Sequence, residues 1–246
     1  MTNIRPKLRQ RIGNSLREVG LLGVLLLAID RLLYGVSGGH ARLMVYALVA
    51  QPIGAAPHAR LRPSDATIVR GVAPTESLVA GFPPPPAVVQ RRFASGAECL
   101  AATVHGAFAG TLWIARFQYA EDEVRCLYRL LDPARSVWDF DVYVEPRFRG
   151  SRVLARLWQA ANHRLADDGV QWSFSRISVL NKGSLAAHRR LGARPVASAV
   201  FVVFGAVQLS FFSMRPYVHL ALTRAQRPVL VFTSPEDGNH LPRSAP

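Results

Sequence analysis

The chain has 246 residues, half of them hydrophobic, and a formal charge of +14, enough for one ordinary domain with a real core plus an extension. So large a positive excess points to nucleic acid, anionic lipid or a phosphate-rich ligand. Residues 1–62 hold nine basic residues against Glu18 and Asp30, half of the excess, but in no single Lys/Arg tract. Aromatic residues are not interleaved with the basic ones as in single-strand binders, which argues against nucleic acid. The two cysteines, Cys99 and Cys126, show no metal-ligand spacing and read as reduced core residues.

From residue 7 to about 36, apolar side chains (Leu8, Ile12, Leu16, Val19, Leu26, Leu33) step at three and four, interrupted at Gly23 and Asp30. The uncharged run from Val19 to Ile29 is eleven residues, short of the roughly twenty that a spanning helix needs. No clean small-residue cleavage site follows it, which argues against a signal peptide. Two readings stay open: a basic amphipathic helix on an anionic inner-membrane surface through residues 5–36, or a helix packed on the protein's own domain or in a homodimer. Gly38 and Gly39 break the pattern, and residues 41–50 read as a second apolar helix ending before Gln51 and Pro52. A proline- and alanine-rich linker to Arg62 follows.

The remaining elements are shorter. Residues 66–72 read as a strand, 75–82 as a short helix, and Pro83 to Pro86 as a stiff polyproline spacer. A hairpin is expected from 98–104 and 107–117 across His105 and Gly106, with an edge strand over 124–131. Then come a strand over 138–144, a basic glycine-containing turn over 146–151 and a helix to about Ala166, broken by Asp167, Asp168 and Gly169. A strand over 172–179 and a short helix over 182–191, ending at Gly192, complete this stretch. Residues 197–214 have the length of a membrane span, but their Val and Phe enrichment, Gly205, Gln208 and Ser210 favour a buried hairpin of 195–204 with 207–214. Past Pro228 no apolar periodicity persists beyond Phe232, and the tail is expected to be disordered.

The stretch from Trp138 to Gly192 carries the chemistry. A strand feeding a helix N-terminus through a backbone-rich turn is an anion site, because the first helical turn leaves its N–H groups without partners. Arg147, Arg149, Arg152 and Arg156 surround that turn with positive charge. Asp139 and Asp141 are two apart on the strand and share a face unless a bulge intervenes.

Two motifs in this stretch resemble those of the GNAT N-acetyltransferases. Arg147-Phe148-Arg149-Gly150-Ser151-Arg152 is similar to the family's pyrophosphate-binding turn, with Arg152 where a second glycine or alanine is usual. Asn181-Lys182-Gly183-Ser184 through His188 to Gly192-Ala193 resembles the family's later helix, with His188 in the place of a common tyrosine and Ala193 in that of an aromatic. The resemblance spans residues 60–214. It implies a mixed α/β fold with a mostly antiparallel twisted sheet flanked by helices; residues 1–59, read above as a helical extension, and the tail over 215–246 lie outside it. It also implies a splay between the fourth and fifth strands that takes the pantetheine arm of acetyl-CoA or another acyl-CoA. The implied activity is acyl transfer from that co-substrate to an amine, without a metal. The cysteine usage and the basic N-terminal segment point to the cytoplasm or the inner-membrane periphery. The alternative is a non-catalytic module that binds CoA or a partner protein. On this resemblance Asp139 or Asp141 is the base and His188 the acid. Tyr143, Val144, Arg147, Arg149, Gly150, Ser151, Arg152, Val153, Asn181 and Ser184 bind the co-substrate.

Overall fold

A computed structural model describes residues 23–54, 61–62 and 64–235. A nine-stranded sheet, in the order β11-β10-β9-β1-β8-β7-β4-β3-β2, spans the molecule, and a three-stranded sheet, β12-β6-β5, packs beside it. In chain order the elements are a helix over residues 23–36 (α1), β1 (Ala41–Pro52), β2 (Thr67–Gly71), a 3-10 turn over Ser77–Gly81 and α2 (Pro86–Ala94). Then follow β3 (Glu98–Val104), β4 (Ala107–Ala115), β5 (Gln118–Ala120), β6 (Leu127–Leu130) and β7 (Ser136–Val144). The last third holds α3 (Val153–Asp167), β8 (Trp172–Ser178), α4 (Lys182–Arg190), β9 (Arg194–Phe204), β10 (Val207–Phe212), β11 (Val218–Ala221) and β12 (Val229–Phe232). The mixed, mostly antiparallel sheet flanked by helices is the class the sequence predicts. Only β7–β8 and β12–β6 are parallel among the described pairs.

Each face of the large sheet is covered by its own apolar set. On one face α3 lays Val153, Leu157, Trp158, Ala161 and Leu165 on β2, β3, β4 and β7, with Leu112, Ile114 and Val137 beneath. On the other face α2 and the small sheet close over Trp113, Trp138 and Phe140. Tyr128 stacks on Trp138 with ring centroids 4.3 Å apart, and Tyr119 on Phe140 at 4.2 Å. Cys99 and Cys126 are unpaired and buried, and burial pushes both thiols up, as for core residues.

Four expectations are corrected. The edge strand expected over 124–131 is instead β6, the middle strand of the small sheet, with β12 on one side and β5 on the other. Residues 41–50 are not a helix: β1 is a central strand, antiparallel to β8 on one side and β9 on the other. A strand buried on both faces shows no alternation, so its continuous apolar run mimics a helix. Pro86 opens α2 rather than ending a spacer, because proline at a first helical position gives up only an N–H without an intrahelical partner. Residues 229–232 are ordered as β12, parallel to β6, with Leu230 and Phe232 buried among the aromatics of the small sheet. The N-terminal part of the expected amphipathic helix (5–22), most of the expected linker (55–60) and the end of the tail (236–246) lie outside the described residues. Among the described residues no helix is long and apolar enough to cross a membrane.

Candidate functional site

The site begins where β7 and β8 part. Their parallel register runs through Ser136↔Trp172, Val137↔Ser173 and Trp138↔Phe174 and goes no further, although β7 continues to Val144 and β8 to Ser178. At the same point the pairing of β7 with β4 slips by one residue, and Asp141 takes a φ of 47°. This is a bulge, with the extra residue in the left-handed region that Asp tolerates better than most side chains. Gly110 faces it from β4, where an added Cβ would lie 2.4 Å from the carbonyl oxygen of Tyr143, so only glycine fits.

The bulge separates the two aspartates. Asp139 lies in the sheet interior, 1% exposed, accepting a 2.6 Å hydrogen bond from Ser173 Oγ. Asp141 is exposed and bonds to Arg92, whose guanidinium rests over the Trp113 and Phe140 rings of the opposite core and also holds Asp122 at 2.8 Å. The shared face expected from their spacing is therefore broken. Burial pushes the Asp139 carboxyl above its ordinary range, while His188 and the Ser173 and Ser175 hydroxyls pull it back down.

Beyond the split, a cleft of about 820 Å³ opens between α1, β1, β7, β8 and α4. Asp139, Asp141, Asn181, Ser184 and His188 all line it. His188 is 5% exposed and edge-on to Trp158 of α3 at 5.5 Å, which fixes its ring; its Nδ1 and the Asp139 Oδ1 have no hydrogen-bond partner among the described residues. Asn181 is the N-cap of α4, its Oδ1 accepting from the Ser184 N–H at 2.9 Å.

At the far end of β7 the chain enters the basic turn. Tyr143 and Val144 pair with Thr111 and Gly110 of β4, and on their other side the recorded β8 pairing has already ended. A 3-10 turn over Pro146–Phe148 leads to Gly150, whose φ of 83° suits glycine and whose Cβ direction is open space within 4 Å. Ser151 Oγ donates to the Phe148 carbonyl at 2.6 Å and accepts from the Val153 N–H at 3.3 Å; no side chain of the N-cap residue Arg152 caps α3. Arg147 and Arg149 donate to the carbonyl oxygens of Phe108 and Val144. The turn, Tyr143, Val144 and Val153 border α3 and are not part of the cleft lining.

Tyr46, Glu123 and Arg176 also line the cleft, and the sequence does not single them out; Tyr46 lies on β1, which reads there as a helix. Tyr46 on β1 donates to Glu123 Oε2 at 2.5 Å, and its ring lies 4.6 Å from the Arg176 guanidinium. Arg176 makes two 2.7 Å bonds to Glu121, whose carboxylate side chain is fully buried. Gln51, opposite Ser173 in register, is buried with both amide atoms unpartnered. The available signal for β1 is the pair Gly38 and Gly39 and the Pro52 that bound this short apolar run, which mark out a buried strand as readily as a helix. Among the described residues no group of three or more His, Cys, Asp or Glu side chains is placed to hold a metal ion.

No family model and no curated protein sequence matches the chain. Among solved structures, it is similar to a functionally unknown conserved protein from Staphylococcus epidermidis (13% identity, TM-score 0.49), over 71% of this chain and 67% of that one. It is similar to a tandem GNAT protein from the clavulanic acid biosynthesis pathway (15% identity, TM-score 0.45), over 66% of this chain and 54% of that one. A GNAT family acetyltransferase from Elizabethkingia anophelis with acetyl-CoA bound is also similar (11% identity, TM-score 0.38), over 52% of this chain and 75% of that one.

Proposed function

We propose that the protein is an acyl-CoA-dependent N-acyltransferase of the GNAT type, using acetyl-CoA or another acyl-CoA. The observation that carries this reading is the parting of β7 from β8 at a bulge. It leads on one side to the cleft with Asp139 and His188 and on the other, along β7, to the basic strand–turn–helix. The segment of β7 beyond Trp138 offers backbone groups to the pantetheine amides. Gly150 and the uncapped start of α3, with Arg147, Arg149 and Arg152 around them, suit a pyrophosphate. Ser151, Val153, Asn181 and Ser184 complete the binding set.

In the reaction the acceptor amine attacks the thioester carbonyl, forming a C–N bond as the C–S bond breaks. The amine loses a proton and the departing thiolate gains one. Asp139 suits the base, because burial raises its proton affinity toward that useful near neutral pH. Asp141 does not, since Arg92 compensates its charge outside that interior. His188, fixed by Trp158 and lining the same cleft, suits the acid for the thiolate.

The test is thiol release from a panel of acyl-CoA thioesters with pooled amines. His188→Phe is expected to lower turnover roughly a hundredfold while acyl-CoA binding survives. Gly150→Glu, adding bulk and negative charge at the turn, is expected to fold and lose acyl-CoA affinity in a calorimetric titration. Absence of turnover with bound acyl-CoA would convert the reading to a non-catalytic CoA-binding module.

A further inference from the structure

Most exposed large hydrophobic side chains of the described residues gather in two places, α1 and the β9–β11 end of the large sheet; Ile68, Phe117, Leu131 and Val231 lie apart. On α1, Leu27 and Asp30 turn into the cleft, and Asp30 Oδ1 accepts from the Leu43 N–H at 2.8 Å. Away from it, Leu25, Ile29, Leu32 and Val36 follow one another at helical spacing and are open to solvent, Val36 at 83% exposure. Strand β10 inverts the usual pattern of a sheet with one wet face. Gln208 and Ser210 are buried, and Gln208 bonds to both backbone groups of Arg125 and to Ser210 Oγ. Val207 and Phe211 point outward, where register sets Val207 beside Phe204 and Phe211 beside Val218.

These two apolar surfaces join. The Gly205 N–H at the tip of the β9–β10 hairpin donates to the His40 carbonyl at 3.0 Å, and Ala41 pairs with Phe204. The end of α1 is thereby set beside Phe204 and Val207. On the strand side the charge has one sign: between Asp168 and Glu236 the sequence has no acidic residue, and Arg215 and Arg224 are exposed in the segments that flank β11. On α1, Arg31 is exposed, while Asp30 faces the cleft and lies 3.6 Å from Arg42. An apolar surface flanked mainly by positive charge matches a bilayer with anionic headgroups. A second copy would bring the same positive rim against itself.

We infer that α1 and the outer face of β9–β11 form one surface that seats on an anionic membrane. This goes beyond the acyl-transfer reading, and its test needs no turnover. The full-length protein is sedimented with vesicles of phosphatidylglycerol and phosphatidylcholine, and separately with phosphatidylcholine alone. Two exposed pairs are changed, Leu32→Ser with Val36→Ser, and Phe211→Ser with Leu220→Ser, with thermal melts to confirm folding. Wild type is expected to bind the anionic vesicles, to bind neutral ones less, and to weaken without full release at high salt. Each pair is expected to lower the partition coefficient about tenfold or more. The pairs lie on separate elements, so a folding defect in one leaves the other to decide. No binding by wild type, or unchanged binding in a folded pair, would overturn the inference. So would a concentration-dependent dimer that Phe211→Ser dissociates, which assigns the face to a second copy.

Discussion

Asp139 and Asp141 differ by one bulge residue and end in opposite surroundings. The one is buried against Ser173, the other bonded to Arg92. Burial raises the Asp139 carboxyl and His188 lowers it, so the two groups are tied electrostatically. If Asp139 is the base, kcat/KM rises with pH as its carboxyl ionises. Removing His188 takes away an attraction for the ionised form, so the acid limb of His188→Phe should move to higher pH; the pH profile checks this. The stability consequence has its own sign. A carboxyl raised on folding binds more protons folded than unfolded, so it costs stability as pH rises from the unfolded value toward the raised one. Asp139→Asn should therefore gain in melting temperature relative to wild type across that window. The sequence showed both aspartates and raised the bulge as a condition. It did not show that Asp141 would take positive φ, because that depends on how β4, through Gly110, approaches β7.

At the scale of elements, the strand–turn–helix–strand–helix unit from β7 to α4 was legible because each piece has a local signal. These are the bounded strand, Gly150, the break at Gly169, the Asn181 cap and Gly192. β1 and β12 were not, since each is defined by partners distant in sequence. β12 is short, and only its pairing with β6 and the aromatic cluster order it. Leu230 is fully buried there, so Leu230→Ala should destabilise the protein by about 2–5 kcal/mol. Ending the chain at Pro228 should cost more, because it also removes Phe232 from beneath Trp138, one residue before Asp139. Denaturant unfolding of the two variants checks the order.

For the molecule as a whole, the charge of +14 is not evenly spread in meaning. Of the acidic side chains that line the cleft, Asp30, Glu123 and Asp141 are paired with Arg42, Arg176 and Arg92 and Asp139 is bonded by Ser173, while the turn before α3 keeps its arginines on carbonyl oxygens. The Michaelis constant for acyl-CoA should therefore rise with ionic strength while kcat changes little, since screening weakens attraction to the phosphates and leaves the interior pair intact. Steady-state rates over a salt series measure it.

The position of β1 also has a bearing on how the protein is made. Its strand is translated early, yet Tyr46 waits for Ser178 and Met44 for Phe201 before either side of it is closed. β12, which completes the other core, is translated later still. A growing chain must therefore carry an apolar, unpaired strand through most of its synthesis, a state that favours aggregation and slow closure. The cleft, which takes walls from both ends of this order, is assembled only when the chain is nearly whole.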